Sequence, residues 1–252
     1  MPVTDMWNSV RFLFLLLGIA GVWWSATVLP IFRSSAPARD VVDRIIDDKR
    51  FKPGLLSQVL ARLKSEPERV LTQATFARAL ALVNARTAEE AVKSISPEQA
   101  DEEAAAAENR VRTSLTLNPT DSFLWLLLYS LASDRNGFDR EQINWLDQSY
   151  ATGPREGWIA LRRNRLALSL FTIFSHPAQE RVVSEFAELV DSEFIEDAAL
   201  NLSRTGWPHR ERLLSSLQRA DITTRERLAK VLSQQGIKVT IPGVQSDERP
   251  WR

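Results

Sequence analysis

The chain has 252 residues with 32 basic and 32 acidic side chains, and charged residues make up 25% of it against 44% hydrophobic. That composition suits a folded chain, and it lacks the basic excess with which a nucleic-acid binder neutralises phosphates, so no nucleic-acid partner is expected. Cysteine is absent, which excludes disulfides, thiolate metal sites and a cysteine nucleophile, and two histidines are too few for a histidine-rich metal site. Both histidines, His176 in Ser-His-Pro and His209 in Trp-Pro-His, read as surface turn residues.

Residues 1–11 form a short tail, and residues 12–32 then read FLFLLLGIAGVWWSATVLPIF, without a charge between Arg11 and Arg33. Such a run is about 30 Å long as a helix, the hydrocarbon thickness of a bilayer. It is expected to be a single membrane-spanning signal anchor of bacterial inner-membrane type. Trp7, Trp23 and Trp24 are its candidate interfacial anchors, and Gly21 with Ser25 is a small pair able to pack on another helix. Ala36-Pro37-Ala38 also resembles a cleavage site, but the apolar run is longer than a signal peptide's usual core. Orientation has two readings. Arg33, Arg39, Arg44, Lys49, Arg50 and Lys52 follow the run and favour a cytoplasmic domain. A short tail before a long domain is instead the layout of an anchor that exports its domain to the periplasm, the side we expect.

A Ser/Ala/Pro-containing linker over 33–39 is expected next, then one helical domain over 40–244 and a flexible tail over 245–252. Asp40 to Arg50 places Val41, Val42, Ile45 and Ile46 on one stripe, and Pro53 opens a second helix. Ser65, Pro67 and Glu68 are spaced as a helix start, as are Ser96, Pro97 and Gln99, Asp139 with Gln142, and Thr223 with Glu226. Pro208 falls in the first turn of another helix. Ile237 to Ile241, between Gly236 and Pro242, is the one extended segment and strand candidate expected, a short edge piece laid on the last helix. The fold class is therefore all-α.

Leu115-Thr-Leu-Asn-Pro119 and Tyr150-Ala-Thr-Gly-Pro154 each close a helix, 35 residues apart, with a helix pair between them that turns at Asn136-Gly137. Trp125 follows Pro119 by six residues. This pattern resembles the tetratricopeptide repeat over about 100–155, and more loosely to about 235. The sequence departs from that repeat at Tyr129 and Glu141, where small residues are usual, and in register after Pro154. The resemblance implies an antiparallel helical scaffold with a concave face that takes a protein segment. Within it Phe123 to Tyr129, apolar all round, is expected to be the most buried helix, with Trp125 at its hub.

No phosphate-binding glycine loop, HExxH, GxSxG or kinase signature is present, so no enzymatic activity and no cofactor are expected. Carboxylates at Glu185, Glu188 and Asp191 share a helical spacing without a histidine or cysteine beside them. One cluster suggests recognition: Arg155, Arg162, Arg163 and Arg165 near Trp158, with forked donors for carboxylate or phosphate and an indole for an aromatic side chain or an acidic polysaccharide. Its competing reading is a solvated, salt-bridged face. Two functions fit: a membrane-tethered scaffold that binds partner proteins in envelope or surface-polysaccharide assembly, or a single-pass accessory subunit of an integral membrane complex, held mainly by its anchor helix.

Overall fold

The computed structural model describes residues 3–47, 49–52, 54–65, 73–92, 95–154 and 156–245, with side chains inside the first helix described for 11–27 and from Asp40 onward. Among the described residues the regular structure is entirely helical, with no strand. The chain divides into two compact units, Met1–Arg110 and Val111–Arg252, where the sequence suggests one domain over 40–244. The boundary falls inside a helix, so no turn residue announces it.

In the first unit α1 spans Val3–Ile46, α2 Leu55–Ser65 and α3 Gln73–Ala91, and α4, Pro97–Leu117, begins. The expected linker over 33–39 is instead part of α1, which continues to the stripe of Val41, Val42 and Ile45. Those three are buried, and α1 and α2 both pack on α3. Within α3 every residue from Ala79 to Ala85 is buried, which makes it the central helix of this unit. Among the described residues no helix is long and apolar enough to cross a membrane. The described side chains of the expected span end at Thr27; the side chains of residues 28–32 and of Trp7 lie outside the description. So does the start at Pro67 and Glu68, while Ser65 closes α2.

The second unit holds the rest of α4, then α5 Ser122–Asn136, α6 Ile143–Thr152, α7 Gly157–Ser169, α8 His176–Asp191, α9 Ile195–Ser203, α10 Arg210–Ser216 and α11 Ile222–Gln234. Ser96 and Gln99 form the reciprocal cap expected at the start of α4, Ser96 Oγ accepting from Gln99 N–H and Gln99 Oε1 from Ser96 N–H. Asp121 caps α5 by accepting from the N–H groups of Phe123 and Leu124. Asp139 opens a 3-10 turn, Arg140–Gln142, that leads into α6, and Pro208 lies in another, Trp207–His209, that leads into α10. The last helix begins earlier than Thr223. Asp221 caps it by accepting from Thr223 N–H at 2.7 Å, and that bond holds the Asp221 carboxyl below its ordinary range. The cap therefore contributes stability above pH about 4 that is lost as pH falls through the lowered value. Asp221→Asn should keep α11 capped and flatten that acid limb in pH-dependent melting, whereas Asp221→Ala should lower melting at neutral pH.

α5 and α6 are antiparallel. Ser122, the first residue of α5, faces Ser149 near the end of α6, and each hydroxyl donates to the other's carbonyl at 2.8 Å. α5 is as buried as its composition suggests, with Phe123, Leu124, Leu126, Leu128 and Tyr129 inside. Trp125 is only half-buried. Its indole N–H donates to Pro119 O at 2.8 Å, so it pins the loop before α5 and does not fill the core. Residues 237–241 are not a strand, because among the described residues there is no strand to pair with. Ile237 N–H instead donates to Leu232 O at 2.9 Å, with Gly236 at φ 77° supplying the left-handed helix cap, and Ile241 is buried.

Candidate functional site

Two surfaces stand apart from ordinary globular exteriors. The first is the shaft of α1. Phe12, Leu13, Phe14, Leu15, Leu16, Leu17, Ile19, Val22, Trp23 and Trp24 are between 48% and 72% exposed. Successive residues turn by about 100° around a helix, so Phe12 to Leu17 alone cover its whole circumference. A helix that packs on one protein partner needs an apolar stripe; this one is apolar on every side. A side chain added at Gly18 or Gly21 would meet nothing within 4 Å, so the small pair of Gly21 and Ser25 lies open.

The second surface is on α7, and the structure divides the arginines there. Trp158, Arg162 and Arg165 are spaced by four and three residues and share one side. Trp158 is half-buried with its ring 4.8 Å from that of Phe123; the Arg162 guanidinium lies over the same Phe123 ring at 5.5 Å; Arg165 is exposed. Arg155 lies outside the described residues. Arg163 does not belong to this face. It is 0% exposed, on the stripe of Ile159 and Ala167, one helical turn from each. That spacing between two core positions is the sequence signal that separates it from its neighbours.

All five N–H donors of Arg163 are satisfied inside the second unit. Nε donates to Glu185 Oε1 at 2.9 Å, and Nη2 donates to the same oxygen at 2.5 Å and to Gly153 O at 3.0 Å. Nη1 donates to Ser149 O at 2.6 Å and reaches the Ser122 and Ser149 hydroxyls at 3.1 Å. The other Glu185 oxygen accepts from Tyr150 OH at 2.6 Å. Asn164 donates to Val182 O at 3.0 Å, and its carbonyl accepts from Asn201 at 3.3 Å. A buried polar chain thus runs through α5, α6, α7, α8 and α9. Burial pushes the Glu185 carboxyl up, opposed by Arg163, and pushes the Tyr150 hydroxyl well above its ordinary value. The partners that Glu185 lacks in sequence are supplied across the fold, and they are an arginine and a tyrosine that hold a carboxylate.

Gly153 belongs to the same arrangement. Its carbonyl accepts from Arg163, and a Cβ there would come within 2.5 Å of Ser122 Cβ. Gly153→Ala should therefore push α5 away from the end of α6 and cost about 1–3 kcal/mol in thermal or urea unfolding. A melting curve identical to the parent's would mean that the close approach is not needed.

Among the described residues no group of three or more His, Cys, Asp or Glu side chains could hold a metal ion. Comparisons with protein families, with curated proteins and with solved structures find no match to this chain.

Proposed function

We propose that this protein is a membrane-tethered helical scaffold that binds partner proteins. The all-round exposure of ten large apolar side chains on α1 carries this reading, because a bilayer is the surrounding that suits an apolar shaft without a polar face. The helix pairs of the second unit support the scaffold half. Tyr150 of α6 touches Glu185 of α8, and Asp147 of α6 pairs with Arg181 of α8, 35 and 34 residues apart. That interval matches the period of a tetratricopeptide-like stack, in which each pair buries its apolar face on the next. Trp158, Arg162 and Arg165 are the side chains we assign to partner contact, either a protein segment with acidic groups or an acidic polysaccharide. An accessory subunit of an integral membrane complex is the second reading, favoured by the open Gly21 and Ser25 surface on the shaft.

Purification of the full chain in mild detergent separates the two. A scaffold brings down soluble partners, and capture falls when Trp158, Arg162 and Arg165 are replaced by Ala, Gln and Gln with helicity unchanged. An accessory subunit brings down multi-pass proteins, and capture survives that triple change. Reporter fusions after Arg252 test the side of the membrane: an active periplasmic phosphatase is the expected result, and fluorescence from a cytoplasmic reporter would reverse the orientation.

A further inference from the structure

The sequence has two histidines among 252 residues, 33 positions apart, and the fold brings both to one arginine. Arg212 of α10 donates to Gln179 Oε1 at 2.6 Å and to Glu180 Oε1 at 2.5 Å, both on α8. His176, on the first turn of α8, has its Nε2 3.9 Å from the same Glu180 oxygen. His209, just before α10, lies against Phe171 with ring centroids 4.4 Å apart, and the Arg212 guanidinium sits over that same Phe171 ring at 5.2 Å. His209 is therefore no free turn residue, although His176 is exposed as its Ser-His-Pro setting suggests.

We propose that this cluster is an acid-sensitive clasp between α8 and α10, held at neutral pH and loosened when the His209 imidazole takes up a proton. Arg212 is the bolt, since it joins the two helices through two acceptors. A proton on His209 places a second cation against a ring that Arg212 already occupies, and like charges at that range repel. The charges that act on Glu180 are Arg212, Arg219 and His176, and the charge that acts on His209 is Arg212; Arg210 and Glu211 follow His209 in the chain, and the Phe171–Ile173 turn carries no charge. Burial and Arg212 hold His209 below its ordinary value, so the unfolded chain binds the proton more readily. The sign follows: the contribution is intact above pH about 6.5 and is lost as pH falls toward the lowered value.

The full chain in detergent micelles provides the test, and it does not depend on what the scaffold binds. The imidazole Cε1–H signal of His209 reports the protonation of that site directly. Amide exchange in α10, corrected for intrinsic rates, should show protection falling between pH 7.5 and 5.5. His209→Phe keeps an apolar ring on Phe171 but cannot titrate, and it should remove most of that pH response; His209→Gln, neutral and smaller, should do the same if the ring swap disturbs packing. Protection in α10 that is unchanged across this range, or that falls equally in the parent and both variants, would overturn the proposal.

Discussion

Glu185→Ala should be among the most damaging single changes in the second unit, at about 3–5 kcal/mol, because it leaves a fully buried guanidinium without its counter-charge. Arg163 is 0% and Glu185 3% exposed at the side chain, so solvent screens neither. Domains of this size have only about 5–15 kcal/mol of stability, so Glu185→Ala should melt far below the parent or fail to fold. Arg163→Lys should not rescue the site, because an ammonium has three donors in place of five and cannot reach Glu185, Ser149 and Gly153 together. The double variant Arg163→Met with Glu185→Leu removes both charges and should be less destabilised than the sum of its parts, by about 2 kcal/mol or more. It should still fall short of the parent, since the Gly153 carbonyl loses the Arg163 donor and Ser149 O loses one of its donors. Purely additive losses in urea unfolding would show that the two side chains are not coupled.

The second large effect concerns α1. Ile19 and Val22 are 58% and 72% exposed near the middle of the apolar run. With α1 as the proposed membrane tether, replacing both by Asp should cost about 2.5–3.5 kcal/mol per charge in insertion, enough to release the chain from the bilayer. Both positions lie in the first unit and are exposed, so helicity and the melting of the second unit should persist. Release with intact helicity is the expected outcome of fractionation followed by circular dichroism. Retention of the doubly charged variant in washed membranes would mean that something other than this shaft holds the protein there.

Much of the fold was legible because it rests on local chemistry. Ser96 with Gln99 and Asp139 announce helix starts through side-chain acceptors, and the apolar run from Phe123 to Tyr129 announces a buried helix. What stayed hidden depends on distant residues. Arg163 looks like its neighbours until the stripe of Ile159 and Ala167 is seen to face the core, and nothing near Glu185 in sequence foretells Tyr150, 35 residues away. The Ser/Ala/Pro stretch after the apolar run has a linker's composition, yet α1 passes through it to place Val41, Val42 and Ile45 on α3. Trp125 failed as a core marker for a simpler reason: an indole N–H seeks an acceptor, and it found one at the surface.

Alkaline carbonate extraction of membranes from cells making the full chain bears most directly on the tether. Extraction strips peripheral proteins and leaves integral ones, and intact mass measured on each fraction shows whether residues 1–38 are still present. Full-length protein is expected in the pellet, and a strongly helical, freely soluble product when translation begins at Arg39. Full-length protein in the supernatant would contradict the tether.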